Sequence, residues 1–223
     1  MSSQNSRAGL KRTLDLILCA AALPVAIPLG SAIAIAIKLT SPGPIIYRAR
    51  RVGRHMKPIV VLKFRTMVVN ADRESDRVTR SRDPRITPVG HFLRVAKLDE
   101  LPQLFNVIRG DMSLVGPRPE DPKYVAAYTD EQKQVLSMRP GMTSLAFLRF
   151  GDEQDLLERE AAADVESFYL TRILPEKLRI ESQYVQEWSV VGDLKILTRT
   201  FKGLFPRSGR ASSLMVLTEG ISE

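Results

Sequence analysis

LILCAAALPVAIPLGSAIAIAI, residues 16–37, is an uncharged run of 22 residues interrupted by Pro24, Pro28 and Gly30. Its length suffices to cross a bilayer, for which a helix needs ~20 apolar residues. Its prolines argue against a straight rod, because each removes a backbone donor and crowds the preceding turn. The flanks bear on the same question. Arg7, Lys11 and Arg12 precede the run, and Lys38, Arg48, Arg50, Arg51 and Arg54 follow it. A spanning helix keeps its basic flank on the cytoplasmic side. With cations at both ends, that rule is best met when the segment enters the membrane, bends at Pro28 and returns, with Pro24 a second candidate for the bend. Two plainer arrangements compete with this one: a simple N-terminal anchor with a proline kink, and a cleaved secretory signal with small residues such as Ser31, Ala32 and Ala34. A buried soluble helix fits least, since such helices are rarely apolar all round over this length.

At 223 residues the chain suits one domain with or without an appendage. The net charge of +8 is unevenly spread: residues 1–100 carry 18 Lys and Arg against 7 Asp and Glu, and residues 101–223 carry 15 against 18. The basic half is thus the half joined to the apolar run, a distribution that suits anionic headgroups and phosphate-bearing substrates. A nucleic-acid partner is not expected, because no recognition helix or stacking-aromatic pattern accompanies the charge. The single cysteine, Cys19, lies within the run, so no disulfide framework exists. With only His55 and His91 beside it, a structural zinc site is improbable, whereas a hard cation held by carboxylates and phosphates is not.

Outward from the run, SPGP (41–44) punctuates its exit. Ile45–Tyr47 and Ile59–Phe64 read as two strands of a hairpin, with the turn over Val52–Lys57. Residues 70–88 are charged and proline-punctuated, a surface loop or a basic lid. From Asp99 the pattern turns helical: Leu101, Leu104, Phe105 and Ile108 recur at helical spacing, Asp99 stands where an N-cap belongs, Pro102 falls in the first turn and Gly110 ends the segment. Further helices are expected over 129–138, 152–164 and 166–188, the last kinked or broken by Pro175. Residues 193–205 place Leu194, Leu197, Phe201 and Leu204 towards one face, which fits an interfacial amphipathic helix or a core-packing one. The tail from 206 is expected to be disordered. The predicted fold class is α/β in the broad sense, α+β and helix-rich: a membrane element over 1–40, a cytosolic domain over 41–205 with a short β-hairpin, and a tail over 206–223.

Four clusters could carry chemistry. Lys63 and Arg65 stand two apart at the end of a strand and share a face. Arg94 precedes the adjacent acids Asp99 and Glu100. Arg118 lies between Pro117 and Pro119, a rigid setting for bidentate phosphate recognition. Arg139 occupies another proline–glycine turn. Each has a plainer reading, as arginines in proline loops often bond nearby carbonyls and an acid at a helix start often serves as a cap. No Walker loop, GxGxxG, HExxH or GxSxG is present, which removes the commonest nucleotide-binding and hydrolase readings. Together, a membrane segment, a basic strand pair, paired acids and rigid arginines suit the transfer of a phosphorylated group onto a lipid phosphate at the bilayer surface. In that setting a carboxylate can attack phosphorus while a neighbouring acid holds Mg²⁺.

These residues resemble the bacterial sugar transferases, the monotopic phosphoglycosyl transferases that act on polyprenyl phosphate. The resemblance rests on KRTLDLIL (11–18), IKLTSPGPIIYRARRVG (37–53), LKFRTM (62–67), LDELPQLFNVIRGDMSLVGPRP (98–119), RPGMTS (139–144), LPEKLRIESQYV (174–185) and DLKIL (193–197). It implies a bacterial inner-membrane enzyme working at the cytosolic face in its minimal catalytic form. Asp99 matches the residue that attacks the sugar-bearing phosphate of a UDP-sugar and releases UMP; undecaprenyl phosphate then takes the phosphosugar. Glu100 matches the second acid, linked with Asp99 to Mg²⁺. Arg94 and Arg118 match phosphate-binding arginines, Lys63 the motif lysine, and Pro28 the helix-breaking proline. Lys63, Arg65, Arg94, Pro117, Arg118, Pro119 and Arg139 are accordingly the candidate phosphate and nucleotide binders. Downstream glycosyltransferases are the implied partners, a homodimer is left open, and the product starts an exopolysaccharide, capsule or other glycan. A non-catalytic membrane-anchored basic scaffold is the alternative reading. Two departures stand out. Ile27, not serine, precedes Pro28; and after RPGMTS the chain reads LAFLRFGDEQDLL where many members have a Trp-Ala-Gln stretch, a difference read as bearing on sugar choice.

Overall fold

The computed structural model describes residues 2–71, 83–150 and 165–204. Helix α1 (Ser2–Thr40) carries the apolar run and is the one helix among the described residues long and apolar enough to cross a membrane. The expected interruption is not seen, since α1 continues as a single helix with Pro24 and Pro28 inside it. Its packing accounts for that. Lys11, Asp15, Cys19, Ile33 and Ile37 are buried, with Ala22 and Ala26 partly so, and this stripe at spacings of three and four lies against the rest of the protein on both sides of the prolines. Contacts before and after each proline hold the axis where two backbone donors are missing. Ser31 donates to the Ile27 carbonyl at 2.9 Å, a back-bond of the type that bends helices slightly. The other face, with Ile17, Val25, Ile27, Ile35 and Leu39, is exposed.

Polar bonds fix the N-terminal part of α1. Lys11 pairs with Asp193 at 2.5 Å, and Asp193 also accepts from Tyr184 and Trp188. Asp15 accepts from the Ser113 hydroxyl and the Leu114 amide, and Arg12 donates to the Val107 and Ile108 carbonyls. Buried charges persist when paired and bonded in this way.

The hairpin pairs β1 (Ile46–Val52) with β2 (Pro58–Phe64) in antiparallel register, from Ile46↔Phe64 to Val52↔Pro58. β1 runs five residues beyond the expected strand, because the arginines at 48, 50 and 51 leave Ala49 and Val52 to bury. Helix α2 (Pro88–Val95) follows, capped by the Thr87 hydroxyl. A 3-10 turn over Leu98–Glu100 precedes α3 (Gln103–Arg109), which Gly110 ends with a left-handed φ of 90°. Asp99 is therefore not an N-cap: it lies inside the tight turn, and α3 begins four residues later without a side-chain cap.

A second sheet, absent from the sequence expectations, pairs β3 (Ser113–Val115) in parallel with β4 (Gly141–Thr143). It requires glycine at both Gly141 and Gly116, because a Cβ at Gly141 would stand 2.1 Å from the Gly116 nitrogen and one at Gly116 2.5 Å from the Arg139 carbonyl oxygen. Between them lie α4 (Pro122–Val125) and a 3-10 stretch over Gln132–Ser137, where an α-helix over 129–138 was expected. After α5 (Leu145–Phe150), α6 (Val165–Phe168) passes through a π-turn at Tyr169–Ile173 into α7 (Leu174–Glu187). The π-turn sits just before Pro175, whose missing donor widens the helix without ending it. A core of Tyr124, Val125, Tyr128, Tyr169, Ile173 and Leu178 joins α4 to α6 and α7. The last helix, α8 (Val190–Leu204), buries Asp193 and Ile196 and exposes Val191, Leu194 and Phe201. Phe92 and Val95 of α2 and Phe105 of α3 are likewise exposed. The expected helix at 152–164, most of the charged loop and the tail from 206 lie outside the described residues.

Candidate active site

Between the hairpin, the 3-10 turn and the loop after β3 lies a cavity of about 850 Å³, within the size range of small-molecule sites. One face of the hairpin supplies Tyr47 and Lys63, which are cross-strand partners. Asp99 and Glu100 enter it from the tight turn, which starts at Lys97 in the left-handed region (φ 54°, ψ 23°). Such backbone is uncommon for a side-chain-bearing residue and recurs at functional sites. Arg94 projects from the last turn of α2, its Nε donating to the Thr66 hydroxyl at 2.9 Å. Arg118 reaches in from the proline loop, which is braced by bonds from Gly116 N to the Thr143 carbonyl and from Gly141 N to that of Pro117.

The two acids differ in their surroundings. Glu100 Oε1 accepts from Lys63 Nζ at 2.9 Å and from Arg118 at 2.8 Å. Burial opposes its ionisation, but Arg118 and Lys63 outweigh that and hold the carboxyl far below the usual range. Asp99 is 9% exposed, and no donor among the described residues bonds its carboxylate, on which the charged neighbours act through charge alone. Burial pushes that carboxyl up; Lys63, Lys97 and Arg94 pull against it, and Glu100 adds to the rise. A carboxylate surrounded by positive charge but not hydrogen-bonded keeps its lone pairs available, the condition a nucleophile needs. Glu100 Oε2 likewise carries no bond among the described residues, and no group of three or more His, Cys, Asp or Glu converges there. Mg²⁺ commonly takes one or two protein carboxylates and fills its shell with water and substrate phosphate, so Asp99 and Glu100 fit it.

Of the residues singled out in the sequence, Lys63, Arg65, Arg94, Asp99, Glu100, Arg118 and Pro119 line this cavity. Arg65 is buried there and committed, its terminal nitrogens donating to the Ser41 and Pro42 carbonyls at the exit of α1. Arg139 and Pro117 do not line it. Arg139 donates to the Gly110 carbonyl at the end of α3, where burial and the nearby charges of Arg12 and Arg54 lower its guanidinium pKa.

Sequence reasoning passed over a second polar group in the cavity. Glu120 accepts from Tyr169 at 2.7 Å and from Lys177 at 2.9 Å. Burial again opposes the charge and Lys177 overrides it, placing the Glu120 carboxyl below its usual value. Sequence separation hid this trio. It also passed over Asn106, fully buried in α3, whose side chain accepts from the Leu62 amide and donates to the Val60 carbonyl. A polar residue inside the apolar pattern of 101–108 was the available signal.

A sequence profile described as bacterial sugar transferase matches residues 6–207. The UDP-glucose:undecaprenyl-phosphate glucose-1-phosphate transferase of Caulobacter vibrioides is 40% identical over 201 residues, covering 87% of this chain and 69% of that protein. The Escherichia coli protein of the same name is 38% identical over 204 residues, covering 87% of this chain and 40% of its own length. The undecaprenyl-phosphate galactose phosphotransferase of Salmonella typhimurium is 38% identical over 216 residues, with 90% of this chain and 41% of that one covered. The chain thus spans about two fifths of the E. coli and Salmonella proteins.

Proposed function

The chain belongs to the bacterial sugar transferase family, and we propose that it transfers a sugar-1-phosphate from a UDP-sugar to undecaprenyl phosphate at the cytosolic face of the bacterial inner membrane. The observation that carries this reading is the pairing of Asp99, buried among cations and without a hydrogen bond among the described residues, with Glu100, whose one oxygen is pinned by Lys63 and Arg118. In the first step an Asp99 oxygen attacks the sugar-bearing phosphorus. The bond from that phosphorus to the bridging oxygen breaks, and UMP leaves with the electron pair. In the second step a phosphate oxygen of undecaprenyl phosphate attacks the same phosphorus and expels the Asp99 carboxylate, giving undecaprenyl-diphospho-sugar. No net proton is required. Arg94, Lys97 and Arg118 offset the charge of the diphosphate, and Lys63 with Arg118 keeps Glu100 ionised. Mg²⁺ would be held by Glu100 and Asp99, where it would reduce repulsion between phosphate oxygens and the incoming carboxylate.

Residues 1–40 serve in this reading as the membrane element and 41–205 as the catalytic domain. Both ends of α1 remain on the cytosolic side, and its exposed apolar face enters the lipid. Support comes from the buried stripe, which rests on the same globular body before and after the prolines, and from the cations at both flanks. Exposed Phe92, Phe105 and Phe201 give the domain apolar contacts for the same surface. The product is a lipid-linked sugar for downstream glycosyltransferases to extend.

The test is UMP release by detergent-solubilised protein with Mg²⁺, undecaprenyl phosphate and a panel of UDP-sugars that includes the glucose and galactose named for the relatives. Lipid-dependent release with one donor, abolished by Asp99→Asn, is the expected result. Silence across the panel overturns the transferase reading, and turnover near wild type in the variant overturns the role of Asp99.

A further inference from the structure

α5 begins directly behind β4, and its first turn is fixed by Ser144, whose hydroxyl accepts from the Phe147 amide at 3.0 Å. The Phe147 ring carries two cations: the Lys97 ammonium lies 5.8 Å from its centroid and the Arg118 guanidinium 5.9 Å. Both are within the range in which an aromatic quadrupole attracts a cation. Lys97 and Arg118 also line the cavity, whereas Phe147 does not. They reach the ring from separate parts of the chain. Lys97 is the left-handed residue two before Asp99, and Arg118 comes from the proline loop and bonds Glu100. One ring is therefore the shared contact of two cations, one beside each acid.

We propose that Phe147 is a positioning residue for the transfer reaction, its π face holding Lys97 and Arg118 at the separation that receives the diphosphate of the donor. Two like charges close together repel, and two long side chains lose rotamer freedom when a substrate orders them. A ring that attracts both offsets the repulsion and orders the pair before the substrate arrives, which is how preorganisation raises affinity. The residue belongs to the stretch after RPGMTS where this chain departs from many family members. The kinetic part of this inference rests on the transferase reading above; the placement of the two cations does not.

The experiment compares Phe147→Leu, which keeps apolar bulk but has no π face, with Phe147→Trp, which keeps the π face. Steady-state kinetics of UMP release are run on the full chain beside hydrogen–deuterium exchange. Phe147→Leu is expected to lower kcat/KM for the UDP-sugar by about tenfold, chiefly through KM, with the KM for undecaprenyl phosphate within about twofold and Phe147→Trp near wild type. Exchange of backbone amides at 95–101 and 116–120 should quicken in Phe147→Leu and not in Phe147→Trp, with the melting temperature unchanged. Phe147→Met replaces Phe147→Leu if the latter does not fold. Wild-type kinetics and exchange in the leucine variant, or a tryptophan variant as impaired as it, overturn the proposal. If wild-type protein releases no UMP from any donor, the transferase reading falls, and the exchange comparison still decides whether Phe147 orders the two cations.

Discussion

Arg118 donates to Glu100 at 2.8 Å, so the arginine held between two prolines is engaged with a carboxylate before any phosphate arrives. A phosphate entering the cavity does not meet an idle guanidinium. It meets one already aimed by Glu100, whose charge limits how strongly the site binds anions in general. In the transferase reading proposed above, selectivity for a ligand that also brings a cation would follow, because Mg²⁺ on Glu100 would compensate the carboxylate while phosphate takes the arginine.

Arg118→Lys keeps the charge and removes the planar fork. Steady-state kinetics should show kcat/KM for the UDP-sugar reduced at least ~10-fold, because a single ammonium cannot serve Glu100 and a phosphate in fixed geometry. Thermal unfolding should be nearly unchanged, as the pair is partly exposed.

Asn106→Ala should destabilise without touching the cavity. The Leu62 amide and Val60 carbonyl lose their side-chain partners, a loss of about 2 kcal/mol read by chemical denaturation, while the KM for the donor stays near wild type in the folded fraction.

Glu120→Gln should lower stability by about 3 kcal/mol at pH 7, since Lys177 would stay buried without its counter-charge. The sign with pH follows from the lowered carboxyl. An unfolded glutamate titrates near ~4.3 and the folded Glu120 lower, so its stabilisation is complete above that value and is lost as pH falls through the folded one. The gap between the melting temperatures of wild type and variant should therefore narrow as pH falls from 7 into the acid range.

Cysteines placed at Ser6 and at Ser41 in a Cys19→Ala background report the topology of α1. An impermeant maleimide should label both in inverted vesicles and neither in intact spheroplasts. Labelling of one end from each side would make α1 a spanning anchor and overturn the arrangement proposed here.

Much of the site was legible because the chemistry-bearing residues sit in short clusters of unusual type: adjacent acids, an arginine between prolines, cations two apart on a strand. Residue type alone did not reveal which arginines meet. Arg118 and Arg139 both occupy proline-containing turns, yet only Arg118 lines the cavity, because pairing of β3 with β4 turns Arg139 towards the end of α3. Those strands are three residues each, too short for any alternation to register. β1 was read short because Arg48, Arg50 and Arg51 mask the two buried positions, Ala49 among them and Val52 just after. In α1 the prolines dominated the reading, whereas contacts along its buried stripe, a tertiary effect, kept the helix whole. Glu120, Tyr169 and Lys177 form one unit only after α6 and α7 fold back, which no local pattern announces.

The pairing of Lys11 with Asp193 has a consequence for the order in which the molecule is made. The partners are 182 residues apart, one in the first helix and one in the last. At ~5–20 residues per second, ribosomal synthesis separates their appearance by roughly 10–40 seconds. In the membrane arrangement proposed above, the apolar run would thus leave the ribosome and reach the bilayer with Lys11 still unpaired. That ion pair closes only when α8 arrives, so a chain truncated before Asp193 would hold the N-terminal part of α1 without it, through bonds such as those of Asp15 and Arg12.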